Sequence, residues 1–141
     1  MNDLQARNSL FEHGSALGLN WTVGETAEAT SVIYLPVKAA PSMRASLYPF
    51  AHNWMLSWTT PVAGTEIIKV DKMNRDNDTL LRSLAAALQL VIDRTFNADP
   101  ESALATVGFL GALGIATDND AALEAATAGR ARAHALIAER A

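Results

Sequence analysis

The hydrophobic period changes close to residue 76, and that change constrains the fold more than any other feature. Before it, from about residue 20, apolar and polar residues alternate with period two and many of the apolar positions are aromatic or β-branched. After it, Leu80, Leu81, Leu84, Leu88, Val91 and Ile92 recur at the i, i+3, i+4, i+7 spacing of one helix face. Phe11, Trp21, Tyr34, Tyr48, Phe50, Trp54 and Trp58 all precede the change, whereas only Phe96 and Phe109 follow it. Strands gathered in one stretch and helices in another predict an α+β arrangement, not an alternating α/β one. A chain of 141 residues makes one domain of ordinary size, spanning 1–141, with a β-rich half over 1–74 and a helical half over 75–141.

The local punctuation fills in the elements. Leu4, Leu10, Phe11 and Leu17 lie near one stripe, so residues 3–17 predict a short first helix with Gly18 as its stop. An antiparallel sheet of about four strands follows. Residues 20–25 alternate, and residues 30–37 place Ile33, Leu35 and Val37 on one face, with Pro36 marking a strand end or an edge. Residues 43–50 suit either a strand or a helical turn opened by Pro41. Residues 52–59 read as a strand with His52, Trp54, Leu56 and Trp58 on one face and Asn53, Met55, Ser57 and Thr59 on the other. The loop Thr60–Gly64 joins it to Glu66–Val70 as a hairpin. Three helices complete the chain. Asp76 or Asp78 caps the first. Asp99 at the N-cap with Pro100 behind it opens the second, and Gly114 is its expected left-handed stop, with Ile115 folding back on Leu110. Thr117 or Asp118 caps the third, over about 118–139.

Composition excludes several classes. There is no cysteine, hence no disulfide framework, thiolate metal site or cysteine nucleophile. The net charge is −4, so no broad basic face is offered to phosphates and nucleic acid is an unlikely partner. The apolar run Ala103–Ala116 is shorter than the ~20 residues a bilayer requires, and the first residues carry no apolar signal core. A cytoplasmic protein is expected. Charged residues make up only 18 % of the chain, which with the Ala- and Gly-rich helices suggests apolar surface covered by another copy.

No Gly-x-Ser-x-Gly, HExxH or GxGxxG pattern occurs. His13, His52 and His134 are too scattered to suggest a metal site, and no cofactor is indicated. The strongest candidate site is Trp54 and Trp58 on one strand face, where two indoles make either a stacking platform or core. His52, Asn53 and Arg44 would supply polar and cationic groups beside them. Glu25, Glu28 and Glu66 are carboxylates available to a histidine, and Lys69, Lys72 and Arg75 ahead of a helix start offer either an anion site, opposed by Asp71, Asp76 and Asp78, or a solvated turn before a capped helix. Gly108, Gly111 and Gly114 are spaced for close helix contact, within one subunit or between two. The expected function is a non-enzymatic binding or assembly protein, a homo-oligomer whose aromatic β half recognises a protein or a small aromatic or nucleotide-like ligand. Such inhibitors, immunity factors and virus-encoded accessory proteins are of this size. The alternatives are a small enzyme with His52 as acid or base in a sheet–helix cleft, and a virion or other structural subunit.

Overall fold

A computed structural model describes residues 2–25 and 31–141. Helix α1 (Asp3–Ala16) leads into strands β1 (Thr22–Gly24), β2 (Val32–Tyr34), β3 (Arg44–Phe50), β4 (Asn53–Thr60) and β5 (Gly64–Lys72), followed by helices α2 (Asn77–Thr95), α3 (Pro100–Ala116) and α4 (Asp120–Arg140). The strands form one antiparallel sheet in sequence order, β1-β2-β3-β4-β5. The α+β arrangement is as the period change predicts, with five strands instead of about four because the ambiguous stretch 43–50 is a strand. Pro49 sits in it without harm: β2 pairs with Ser46 and Leu47 and stops short of Pro49, so the missing N–H breaks no rung on that side.

One face of the sheet is buried. Ile33, Ala45, Leu47, Trp54, Leu56 and Trp58 point from it into a core that also takes in Leu10 of α1, Leu81, Leu84, Leu88 and Val91 of α2, Val107, Leu110 and Leu113 of α3, and Ala126 and Ala133 of α4. Residues of both halves of the chain therefore share one apolar cluster. Helix α2 lies against β4 and β5, α1 against β2 and β3, and α4 stacks on α3.

The connections explain the exact boundaries. Ala51 and His52 form a two-residue hairpin loop in which both φ angles are positive (50° and 65°), the geometry whose twist suits paired strands. His52 therefore belongs to the turn, not to the strand face that carries Trp54. The β4–β5 loop closes with Gly64 at φ 71°, where glycine pays no Cβ penalty. A bulge follows: Met55 pairs with Lys69 but Trp54 with Asp71, leaving Val70 extra. It turns Asp71 to the helix side, where the carboxylate accepts a hydrogen bond from Ser83 at 2.8 Å.

Asp76 and Asp99 cap α2 and α3 as expected. The predicted stop at Gly114 is corrected. The helix runs on to Ala116, and Asp118 takes the left-handed position at φ 51°. The N–H of Asn119 bonds to the carbonyl of Gly114 and that of Asp118 to Ile115, the paired bonds of a Schellman ending. Gly114 instead lies under α4, where a Cβ would stand 2.9 Å from Leu123. Asn119, not Thr117 or Asp118, then caps α4 through the N–H of Ala122.

Candidate functional site

The five residues singled out from sequence do not converge. Trp54 and Trp58 are 1 % and 0 % exposed, so their face is core and not a stacking platform. The burial follows from the pleat: once α2 and α3 cover one sheet face, every second residue of β4 is sealed beneath them. Trp58 is anchored by polar groups from the helical half. Its indole N–H donates to Thr106 Oγ1 at 3.2 Å, Thr106 donates to the carbonyl of Ser102, and Ser102 donates to the Asp99 carboxylate at 2.7 Å. This buried chain runs from the sheet to the cap of α3, with each member satisfied.

Trp54 differs. Its buried indole N–H has no hydrogen-bond partner. Trp54 also lines a cleft of about 390 Å³ between α1 and the β5–α2 turn, with Ala6, Ser9, Met73, Asn77 and Leu80 among its walls.

Arg44 and His52 stand at opposite ends of β3, about 20 Å apart for a strand of this length. Asn53 donates to the carbonyl of Ala51 and serves the turn. No ion pair joins His52 to a carboxylate among the described residues, whereas His13 reaches Asp78 at 2.7 Å. Glu25 is exposed after β1, and Glu66 is held by Arg94. Glu28 lies outside the described residues. Among those described, no group of three or more His, Cys, Asp or Glu side chains is placed to hold a metal ion. The arrangement supplies neither the acid–base pair nor the anion clamp that His52 and Arg44 were expected to form.

The α2 start is filled by the protein's own carboxylates. Asp76 accepts from the hydroxyl and the N–H of Thr79, and these bonds hold its carboxyl below the usual aspartate range. Asp71 is also lowered, first by the Lys72 N–H at 2.7 Å and then by Ser83, Arg75 and Lys69, against some desolvation. An exogenous anion would compete with ionised side chains that already take these donors.

What remains uncovered is the other sheet face. The register aligns Thr22, Tyr34, Ser46, Ser57 and Ile67 in one row across it, and Tyr48, Met55 and Lys69 in the next. Arg44, Thr59 and Thr65 form a third row, and Phe50, Asn53 and Lys72 a fourth. Among the described residues no helix lies on it. Tyr34 rests flat across Gly24, where a Cβ would come within 2.4 Å of the ring. Ile67 is 56 % exposed and Phe50 64 %. The ordered charges in these rows are Arg44, Lys69 and Lys72, all cationic, although the chain as a whole is acidic. The alternation of β4 named half of this face, but nothing in the sequence said which half of the alternation would stay bare.

A second uncovered surface lies on α3. This helix has one charged residue, Glu101, in 17. Ile115 is 76 % exposed, a Cβ on Gly108 would meet nothing within 4 Å, and a groove of about 330 Å³ runs between this face and Leu123, Ala126 and Thr127 of α4. Among the described residues no helix is long and apolar enough to cross a membrane. Comparison with protein-family models, with curated proteins and with solved structures returns no match for this chain.

Proposed function

We propose that this is a non-enzymatic binding and assembly protein of the cytoplasm, which recognises a partner through the bare face of its sheet and contacts further copies of itself through α3. The observation that carries the reading is the one-sided sheet: among the described residues α1 and α2 pack on one face, with α3 and α4 behind α2, and no helix packs on the other, leaving two tyrosines, Met55 and Ile67 among hydroxyls and cations. A half-solvated antiparallel sheet ordinarily shows a polar outer face. Apolar and aromatic groups interspersed with polar ones on this face suit a recognition surface. The self-contact rests on α3, since a helix apolar all round is normally buried. Gly108 leaves space beside a protruding Ile115, so a knob and a hollow lie on the same face, as a two-fold contact requires.

Native mass spectrometry of the chain purified from its own host tests both parts. The expected result is a small closed oligomer carrying a retained partner. Ile115→Asp should reduce the oligomer to a monomer that stays folded, with a thermal midpoint that no longer depends on protein concentration, and Tyr34→Ser with Tyr48→Ser should release the partner. A bare monomer at micromolar concentration would overturn the proposal, and an open, polydisperse assembly would favour a structural subunit instead.

A further inference from the structure

The free edge of β5 adds to the bare face something that only a polypeptide can use. β5 is nine residues long, against three for β1 at the other edge, and among the described residues pairs only with β4. Alternate N–H and C=O groups along such a strand point away from the sheet and invite another strand. Edges of this length are normally guarded, and the guards here are specific in sign. Thr65, Ile67, Lys69 and Lys72 are exposed along β5. Its two carboxylates are already engaged: Glu66 by Arg94, and Asp71 by the Lys72 N–H and Ser83. Among the described residues neither Lys69 nor Lys72 has an ion-pair partner within 4 Å. A second copy of β5 would bring its own lysines and no free carboxylate, so the edge discourages self-pairing. It does not discourage a strand of opposite charge.

From this we infer that β5 captures an extended acidic segment of a partner protein by strand addition along Thr65–Lys69, short of the bulge at Val70. The inference rests on the sheet face being the recognition surface, as proposed above. The main chain of the segment takes the free hydrogen-bonding groups of the edge. Its side chains on the bare face fall two residues apart, one apolar beside Ile67 and one acidic beside Lys69. A nucleic acid can answer the lysines but not the backbone rung, and the chain's net charge of −4 opposes a long polyanion.

Panning a phage library of random ten-residue peptides against the purified full chain tests this. Enriched peptides should carry acidic residues alternating with apolar ones. A synthetic copy of the best should slow amide hydrogen exchange at residues 65–69. Lys69→Glu with Lys72→Glu should weaken that peptide about tenfold, as reversal of two exposed charges implies, and shift enrichment to basic residues. Absence of enrichment, enrichment without acidic bias, binding unmoved by the reversal, or protection elsewhere would each overturn the inference. A host partner released by the tyrosine variants but not by the lysine reversal would leave the bare-face reading standing and sink strand addition alone.

Discussion

Trp54 and Trp58 are four residues apart, equally buried, and on the same strand face, yet their indole nitrogens are in opposite situations. That of Trp58 donates to Thr106, and that of Trp54 donates to nothing. A made hydrogen bond contributes about 1 kcal/mol net, whereas an unmade buried donor costs about 1–3 kcal/mol. Replacing either indole by phenyl contracts the ring similarly, so the difference between the two variants isolates the N–H. Trp58→Phe is expected to be more destabilising than Trp54→Phe by about 2 kcal/mol, read as the difference in urea midpoints multiplied by a common slope. Equal losses, or a larger loss at Trp54, would mean that the Trp54 N–H has an acceptor in solution.

At the scale of the element, glycines of the same sequence appearance do different work. Gly14 sits inside α1 because the Trp21 ring occupies the place of its Cβ, which would fall 2.0 Å from Cζ2. That ring is held by hydrogen bonds to the Phe11 carbonyl and Ser15 hydroxyl and stacks on Phe11, so it cannot easily retreat. Gly14→Ala should therefore lower stability by about 1–3 kcal/mol despite better helix propensity. Gly108→Ala, made in an Ile115→Asp background to remove association, should raise it by about 0.5–1 kcal/mol. Thermal melts of the two variants check the opposite signs. The three-residue spacing of Gly108, Gly111 and Gly114 was visible in the sequence, but each step of three turns the helix surface by about 60° short of a full circle. Gly114 thus faces Leu123, Gly111 faces Ala126, and Gly108 faces solvent. The period change, the Asp99–Pro100 cap and the β4–β5 hairpin were legible because each is a local rule. The burial of Trp54 and Trp58 was not, because alternation separates two faces without saying which one the helices will cover. The same holds for the end of α3: the local preference for glycine was outweighed by tertiary packing of Gly114 beneath α4.

At the scale of the molecule, the sheet and the helices have no separate interiors. Leu56 and Trp58 of β4 and Leu84 and Leu88 of α2 belong to one buried cluster, and the hydrogen-bond chain from Trp58 to Asp99 crosses from one half to the other. Neither half can lose its fold while the other keeps its buried face dry. Two domains joined by a linker would instead melt as two units. Leu84→Ala removes buried methyl groups from a fully sealed position in α2 and should cost about 2–5 kcal/mol. The loss should appear in the sheet as well as in the helix. Near-ultraviolet dichroism reports the tryptophans, all of which lie before residue 60, and far-ultraviolet dichroism at 222 nm reports mainly the helices. The two signals are expected to shift to the same lower midpoint and to superimpose across the transition. Separation of the curves, with the tryptophan signal left at its original midpoint, would show that the sheet holds its core without α2, and the bare face would then belong to an independent β unit.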